Sequence, residues 1–310
     1  MHIPVLVKEV LEYLSPQSNE NFIDCTFGNG GHSLEILKMI KPNGKILGIE
    51  WDEEIIKRLG DNDKRLVFGE NLILINDNYA NLQNIVQEKN FFPANGILFD
   101  LGMSSWDIEK SGRGFSFQKD EPLDMRYSAE QELTAEEIIN KWPEEKLAEI
   151  FYKYGEERRA RAIAKRIVVS REKKPIETTM DLTEIIQKAM PARQRLGAGM
   201  AGGPTRLIFN RIHPATRVFQ AIRIAVNNEL NNLEKGLAAA LEILAPGGRM
   251  AVISFHSLED RIVKNFFRDK KYSGELEILT KKPVVASAGE ILENPRSRSA
   301  KLRAARKLTN

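Results

Sequence analysis

The first hundred residues alternate short apolar runs with stretches in which apolar side chains recur at helical spacing. The apolar runs predict strands at residues 22–23, 45–50, 72–75 and 97–99. The stretches between them predict helices at residues 33–40, 53–59 and around 82–86. Strand–helix alternation at this spacing is typical of βαβ units and a parallel sheet. The strands are almost continuously apolar, as expected where helices cover both faces of a sheet.

The pattern changes after Asp100. Helical periodicity predicts helices at 134–141, 144–154, 156–170 and 180–190, followed by a glycine-rich turn at 198–204 that we expect to be mobile. One long helix is predicted over 214–244, and strands return at 250–255, 276–279 and 300–306, with a helix capped by Ser257 after the first of them. The sequence therefore predicts an α/β, Rossmann-like sheet formed by residues 1–105 and 206–310 and interrupted by an all-helical domain at 106–205.

Composition narrows the class of protein. Of the 310 residues, 42% are apolar and 29% are charged, as in a folded globular protein rather than a disordered chain. One cysteine and four scattered histidines exclude a disulfide framework and a multi-cysteine zinc site, so we expect no metal centre. No apolar run approaches the roughly 20 residues of a membrane span, and the N-terminus lacks the pattern of a secretory signal. We therefore expect a cytoplasmic protein without a membrane partner.

Charge is distributed unevenly along the chain. The net charge is +3, but residues 1–157 carry a net charge of −13 and residues 158–223 one of +11. The segment 294–310 carries six basic side chains and no acidic one. Such asymmetry is typical of proteins that bind a polyanion, and nucleic acid is the usual one. On composition alone, a solvated helix face with a charged tail explains the pattern equally well.

The strongest local signal for a binding site is the segment IDCTFGNGGHS at residues 23–33. A predicted strand ends in Asp24, a glycine-rich loop follows, and the next helix begins with backbone N–H groups available to a ligand. Glu50 ends the following strand, at the spacing of an acid that accepts hydrogen bonds from ribose hydroxyls. A dinucleotide loop would have its third glycine where Ser33 stands, and Asp24 would repel pyrophosphate. These features favour S-adenosylmethionine, with a nicotinamide dinucleotide as the alternative.

Asp100 ends the fourth predicted strand, so that it occupies a strand end as Asp24 and Glu50 do. Ligands of open α/β sheets bind at the carboxyl ends of the strands. A single acid after a strand is usually a turn former or a helix cap. Three of them at successive strand ends favour a binding site.

Longer motifs give the chain a family resemblance. It resembles the RsmH (MraW) family in DCTFGNGGHS, ILFDLGMSS, GRGFSF, PLDMR, YGEERRARAIA, HPATRVFQAIRIAVNNEL, APGGRMAVISFHSLEDRIVK and NPRSRSAKLR. That family consists of bacterial adenosylmethionine-dependent methyltransferases that act on N4 of a cytidine in the decoding region of 16S ribosomal RNA. The resemblance implies a class I methyltransferase core with an inserted helical domain, adenosylmethionine as cofactor and the small-subunit RNA as partner. It leaves the oligomeric state open, with a homodimer as one possibility.

Carried over by motif, the resemblance implies a set of cofactor contacts. Together with Asp24 from the loop pattern, they are Gly30, Gly31, His32, Glu50, Tyr79, Asp100 and Asp107. Glu50 stands where the family more often has Asp, and Tyr79 where Phe is common, and both keep the chemistry of a carboxylate and of a ring over adenine. Trp106 and Asp107 replace a more usual Pro-Gln. Cys25 stands where Gly is common, and we interpret it as a buried residue because nothing basic nearby in sequence would make a thiolate.

Catalysis is assigned to Asp100, Ser104 and His256. The cytosine amine is a poor nucleophile, and acceptors for its hydrogens would favour the nucleophilic form as the methyl group arrives. Asp100 or the backbone of residues 101–104 is placed for that role. His256 follows the fifth predicted strand, where it either faces the target base or simply precedes the helix cap at Ser257.

RNA binding is assigned to a predicted amphipathic helix with an uncompensated basic face. Its candidate phosphate contacts, with one from the helix predicted over 214–244, are Arg158, Arg161, Lys165, Arg166 and Arg217. A face that serves only solubility is the alternative. At the level of function, the rival hypotheses are a nicotinamide-dependent oxidoreductase and a non-catalytic RNA-binding assembly factor with a vestigial cofactor site. The intact glycines and carboxylates argue against the second of these.

Overall fold

The computed structural model describes residues 4–61, 69–190 and 213–309. The chain divides into two compact units: the first comprises Met1–Ser104 and Leu230–Asn310, and the second comprises Ser105–Glu229. The predicted glycine-rich turn at 198–204 and the predicted domain boundary at 205–206 lie outside the described residues.

The first unit contains a seven-stranded sheet. In chain order its strands are β1 (Phe22–Asp24), β2 (Ile46–Glu50), β3 (Leu72–Asn76), β4 (Ala94–Asp100), β5 (Leu244–Ser254), β6 (Leu276–Ile278) and β7 (Lys301–Lys307). Their order across the sheet is β3-β2-β1-β4-β5-β7-β6, with β7 antiparallel to both of its neighbours and the other pairs parallel. The predicted Rossmann-like α/β fold is confirmed.

Helices account for most of the remaining chain. Within the described residues they are α1 (Val7–Leu14), α2 (Gly31–Ile40), α3 (Glu53–Asp61), α4 (Leu82–Glu88), α5 (Ser105–Glu109), α6 (Ala135–Lys141), α7 (Glu144–Lys153), α8 (Ala160–Arg171), α9 (Thr179–Ala189), α10 (Pro214–Asn227), α11 (Glu229–Ile243), α12 (Ser257–Tyr272) and α13 (Ala288–Glu293). Short 3-10 helices lie at Gly69–Asn71, Tyr79–Asn81 and Pro295–Ser299. None of the helices in these ranges combines the length and apolarity that a bilayer crossing needs.

The core of the first unit lies on the central strands of the sheet. Ile23, Leu47, Ile97 and Val252 are each at most 1% exposed. Burial of such a side chain contributes about 1.5–3 kcal/mol relative to leaving it in water. Because β1, β2 and β4 are buried along nearly their whole length, their acidic side chains lie at their carboxyl ends. The packing therefore brings the three predicted acids to one edge of the sheet.

The second unit is helical in residues 105–190 and 213–229, where an isolated β-bridge between Pro122 and Thr178 is the one extended pairing. Thr134 and Thr178 cap α6 and α9, since their hydroxyl oxygens accept hydrogen bonds from backbone N–H groups three residues later. These caps explain why α6 begins at Ala135 and α9 at Thr179, each within one residue of the predicted start.

The single helix predicted over 214–244 is wrong. The chain forms α10 and α11, which are separated at Asn228 with φ 49° and ψ 37°, a left-handed conformation that asparagine tolerates better than most residues. The helix α10 also lies in the second unit, whereas the sequence pattern predicts that residues 206–310 belong with the sheet. Gln220 donates to the Tyr154 carbonyl at 2.9 Å and Asn227 to the Met125 carbonyl at 2.8 Å, contacts that helical periodicity does not reveal.

Candidate active site

Asp24 lies at the end of β1 and is 2% exposed. Its Oδ2 accepts a hydrogen bond from the Ser33 hydroxyl at 2.7 Å, and its Oδ1 accepts one from the Thr26 N–H at 3.2 Å. Burial raises the pKa of Asp24 above its ordinary value of 3.8, although these bonds and the nearby His32 act against the rise. The carboxylate therefore holds both ends of the predicted cofactor loop.

The cofactor loop, residues 24–33, needs its glycines for backbone conformation. Gly28 and Gly30 have φ angles of 53° and 73°, and Gly30 directly precedes α2. The Phe27 ring is seated against Gly48 of β2, where an added Cβ would lie 2.4 Å from Phe27 Cδ2. The loop is thus anchored on the sheet on one side and on the first turn of α2 on the other.

Glu50 links the cofactor loop to the chain that follows β2. Its Oε2 accepts a hydrogen bond from the Gly28 N–H and its Oε1 accepts one from the Asp52 N–H, each at 2.8 Å. A carboxylate has about four acceptor positions, so one that binds backbone N–H groups can also accept hydrogen bonds from hydroxyls. The geometry adds to the predicted role of Glu50, because the side chain also shapes the cofactor loop.

Asp100 and His32 form a close pair at the end of β4. His32 Nε2 lies 3.4 Å from Asp100 Oδ2, and the two side chains are 6% and 21% exposed. The Asp100 N–H donates to the Thr26 hydroxyl at 2.6 Å, which fixes the end of the strand to the cofactor loop. Asp100 Oδ1 is buried and accepts no hydrogen bond from the part of the chain that the structure describes.

The carboxylates around His32 favour its charged form. Burial alone would lower the pKa of His32, but Asp100, Asp24 and Glu290 together raise it above the ordinary value of 6.5. The site therefore combines an imidazole whose charged form is favoured by its neighbours with an acid whose second oxygen is available to a ligand.

Tyr79 follows β3 and packs edge-on against Phe99 of β4, with ring centroids 5.5 Å apart. Its ring also covers Gly236 of α11, where an added Cβ would lie 2.8 Å from Tyr79 Cδ2. The tyrosine is partly exposed, and the Asn78 side chain fixes its turn by accepting a hydrogen bond from the Ala80 N–H at 2.8 Å. Its ring has the fixed, partly open position that a platform for adenine requires.

Two predicted residues lie at the junction of the units in sequence. Ser104 is the last residue of the first segment of the first unit and is partly exposed. Asp107 belongs to α5 of the second unit and is 3% exposed. Their assignments as catalytic and cofactor-binding residues stay predictions.

His256 is itself the N-cap of α12, so the predicted cap at Ser257 is wrong. Its Nδ1 accepts a hydrogen bond from the Glu259 N–H at 3.4 Å, while Glu259 Oε2 accepts from the His256 N–H at 3.2 Å. The Nε2 atom lies 3.2 Å from Glu259 Oε1. An imidazole nitrogen can accept the bond that a serine hydroxyl usually accepts. Nδ1 thus caps the helix, whereas Nε2 is buried and makes no hydrogen bond within the described residues, and a catalytic role for His256 stays a prediction.

The predicted RNA-binding cations of α8 and the residues before it form a basic face, defined by Arg158, Arg161, Lys165 and Arg166. All four side chains are exposed, whereas Ile163 and Ile167 on the other side of the helix are fully buried. Within residues 4–61, 69–190 and 213–309, no carboxylate oxygen lies within 4 Å of these four cations. Arg217 differs, since its Nη1 lies 3.8 Å from Glu157 Oε2.

Sequence reasoning missed two contributors to the site. Thr26 lies inside the recognised loop but gave no signal, because its role depends on where β4 ends. Glu290 belongs to α13 and lies outside every family motif, and its charge acts on His32. Only the packed structure brings the end of β4 to Thr26 and the charge of Glu290 to His32.

The arrangement fits a cationic nucleoside. Asp24 and Asp100 place carboxyl groups at the ends of the adjacent strands β1 and β4. Glu50 places a third at the end of β2, on the other side of β1. The buried Asp100 Oδ1 is an acceptor that a ligand can satisfy, and buried polar atoms are rarely left without a partner. A dinucleotide pyrophosphate would meet these same charges unfavourably.

Comparison with known proteins finds relatives along the whole chain. A protein from Crocosphaera subtropica is 47% identical over an alignment of 312 positions, which covers 99% of this chain and 89% of the relative. One from Dictyoglomus thermophilum is 45% identical over 311 residues, and one from Carboxydothermus hydrogenoformans is 44% identical over 324 residues, with at least 98% of each chain covered. All three are named Ribosomal RNA small subunit methyltransferase H.

A family model also matches almost the whole chain. The model described as the MraW methylase family matches residues 1–308. The resemblance inferred from the motifs is confirmed, and with it the prediction of S-adenosylmethionine as the cofactor. A chain matched over this length and at this identity belongs to the MraW methylase family.

Proposed function

We propose that this enzyme transfers the methyl group of S-adenosylmethionine to the exocyclic N4 of a specific cytidine in the decoding region of 16S ribosomal RNA. The printed names of relatives at 44% to 47% identity support the coarser assignment to small-subunit ribosomal RNA. The finer assignment to N4 rests on the family resemblance and on the chemistry of Asp100. The observation that carries it is the half-buried Asp100 carboxylate, whose Oδ2 lies beside His32 and whose buried Oδ1 accepts no hydrogen bond from the described part of the chain.

Cofactor binding uses the strand ends of the first unit. Bound adenosylmethionine supplies a methyl group made electrophilic by its sulfonium. Glu50 accepts hydrogen bonds from the ribose hydroxyls, Tyr79 covers the adenine, and the glycines of the cofactor loop let the backbone approach the ligand. The full set of proposed contacts is Asp24, Gly30, Gly31, His32, Glu50, Tyr79, Asp100 and Asp107.

Asp100 acts on the nucleophile. The lone pair of the N4 amine is delocalised into the cytosine ring, and a carboxylate that accepts an amine hydrogen favours the pyramidal form in which the lone pair points away from the ring plane. As the N4–carbon bond forms, the bond between that carbon and the sulfonium sulfur breaks and its electron pair stays on sulfur. N4 is then left with one proton too many, and Asp100 is the acceptor for it. Ser104 and the backbone of residues 101–104 adjoin this position in sequence and provide further acceptors.

Positioning provides the remaining rate enhancement. Holding N4 in line with the methyl group converts a bimolecular reaction into a step within one complex. The target base must be unstacked to reach the strand ends. The basic face of α8, with Arg217, contacts RNA phosphates and supplies affinity that depends on salt and not on sequence.

Nucleoside analysis of ribosomal RNA tests the proposal. RNA from a strain that lacks this protein should lose one N4-methylated cytidine of the small subunit, and the wild-type gene should restore it. Complementation with Asp100→Asn should leave the methyl group missing. An unchanged nucleoside profile in the deletion strain would contradict the proposed reaction, and restoration by Asp100→Asn would favour a mechanism that does not use this carboxylate.

A further inference from the structure

The N-terminal segment, residues 4–6, packs on the cofactor loop. An added Cβ on Gly31 would lie 2.4 Å from Cγ of Pro4, so only glycine admits the proline ring at this position. Leu6 is fully buried and adopts a left-handed conformation, with φ 55°, directly before α1. A buried leucine in this conformation persists only where its surroundings hold it. The packing thus links residues 4–6 to the residue that begins α2.

Glu290 holds this segment from the far end of the chain. Its Oε1 accepts a hydrogen bond from the Leu6 N–H at 2.7 Å, a contact that spans 284 residues of sequence. Glu290 is placed for this bond by the first turn of α13, where the Ser287 hydroxyl accepts from the Glu290 N–H at 3.1 Å. A charged acceptor makes this a stronger bond than a contact between two neutral groups.

The same carboxylate acts on the charge of His32. The charged groups that face this imidazole are Asp24 at the end of β1, Asp100 at the end of β4 and Glu290 on α13. All three favour the protonated imidazole, which in turn stands 3.4 Å from Asp100. Glu290 therefore reaches both the backbone that covers the cofactor loop and the histidine that pairs with Asp100.

We propose that Glu290 is a positioning residue of this enzyme. By accepting the hydrogen bond from the Leu6 N–H, its carboxylate keeps residues 4–6 packed on Gly31 and so holds the cofactor loop in its binding conformation. The inference rests on the proposed function in one respect, namely that this loop binds adenosylmethionine. Nothing in it requires that Glu290 touch the cofactor or the RNA.

Two variants separate the hydrogen bond from the charge. Glu290→Ala removes both, whereas Glu290→Gln keeps an oxygen that accepts from Leu6 N–H and removes the charge. Glu293→Ala and Glu293→Gln are matched controls, because Glu293 lies on the same short helix and is exposed. All four changes alter net charge by the same amount.

Amide hydrogen exchange in the absence of cofactor directly reports the hydrogen bond between the Leu6 N–H and Glu290. Loss of a hydrogen bond to a charged group should speed exchange of the Leu6 amide about tenfold or more in Glu290→Ala. Exchange in Glu290→Gln and in both Glu293 variants should stay near that of wild type. Unchanged exchange in Glu290→Ala, or equal acceleration in the Glu293 variants, would overturn the proposal.

Calorimetric titration and histidine titration complete the test. Glu290→Ala should weaken adenosylmethionine binding about tenfold, and Glu290→Gln should recover most of that loss. The pKa of His32, followed by NMR, should fall in both Glu290 variants and in neither Glu293 variant, since each Glu290 variant removes a carboxylate that faces the imidazole. Equal binding by Glu290→Ala and wild type would refute the positioning role. Because RNA is absent, a wrong RNA assignment would leave these results unchanged, and failure of the wild type to bind the cofactor would instead contradict the proposed function.

Discussion

The cofactor loop and the basic face of α8 are built on opposite physical principles. In the loop, buried polar groups are held by short bonds, as in the contact of 2.7 Å between Ser33 and Asp24. On the basic face, Arg158, Arg161, Lys165 and Arg166 are exposed, and none of them has a carboxylate within 4 Å inside the described ranges.

This difference has an energetic consequence. A buried acceptor that loses its partner costs the full desolvation penalty of the group that remains. An exposed cation contributes mainly by releasing counterions from a polyanion, in an amount that depends on the number of contacts and on salt. Single isosteric changes should therefore have large effects in the loop, whereas the basic face should respond gradually to the number of charges removed.

Asp100→Asn should have the largest effect. We expect methyl transfer to small-subunit RNA to fall by roughly 10²- to 10⁴-fold, because the amide keeps the size of the side chain but cannot take up the proton from N4. Adenosylmethionine affinity should fall far less than the rate, because Asp100 is one of several proposed cofactor contacts, and the variant should stay folded. Single-turnover kinetics with saturating cofactor measures the effect, and Asp269→Asn on the exposed face of α12 is the control. Normal turnover by folded Asp100→Asn would remove this carboxylate from the mechanism.

Glu50→Ala should weaken adenosylmethionine binding by roughly 10- to 100-fold, since the variant cannot form about two charge-assisted hydrogen bonds to the ribose. The variant also removes the acceptors for the Gly28 and Asp52 N–H groups, so part of the effect comes from the loop. Glu50→Gln keeps one acceptor and should lie between Glu50→Ala and wild type in titration calorimetry. Glu53→Ala, an exposed acid at the start of α3, is the control. Affinity equal to wild type in Glu50→Ala would mean that the ribose is held elsewhere.

The double change Arg158→Glu and Arg161→Glu should raise the RNA KM and leave adenosylmethionine affinity unchanged. For every phosphate that the variant no longer neutralises, the salt dependence of RNA binding should fall by somewhat under one unit of log–log slope. Binding measured at several salt concentrations tests both effects. The pair Lys38→Glu and Lys57→Glu changes net charge equally on exposed positions of the first unit. If both double variants behave alike, the basic face acts through net charge alone.

The smallest effect concerns pH and stability. Because the pKa of folded His32 is raised above 6.5, its pairing stabilises the protein fully below about pH 6.5 and loses this contribution as pH rises through the raised pKa. The melting temperature of His32→Gln should therefore differ most from wild type at low pH. His213 is the control with the opposite sign, since burial lowers its pKa and its contribution is lost as pH falls below about 6.5. A difference between His32→Gln and wild type that does not vary with pH would contradict the charged pair.

The first four strands of the sheet were predictable from sequence because they are apolar over nearly their whole length. The acids Asp24, Glu50 and Asp100 end those apolar runs, so their common edge followed from strand parallelism. These features depend on local pattern and on one general rule of α/β folds.

Other features depend on contacts that a local pattern does not contain. The break at Asn228 interrupts a continuous apolar stripe, and α10 joins the second unit through bonds such as that from Asn227 to the Met125 carbonyl. The cap at His256 requires a ring orientation that residue type alone does not give. Glu290 reaches Leu6 only after the C-terminal segment has packed on the first unit.

The order of strands has a consequence for the synthesis of this protein. In the finished sheet β4 lies between β1 and β5, yet 143 residues of chain separate the end of β4 from the start of β5. At about 5–20 residues per second, the ribosome needs roughly 7–30 s to make them. During that interval the nascent chain presents Ile97, Leu98 and Phe99 along an edge without its final neighbour, and such edges pair readily with other chains. The nascent protein is therefore a candidate client for chaperones that bind apolar segments, until translation reaches β5.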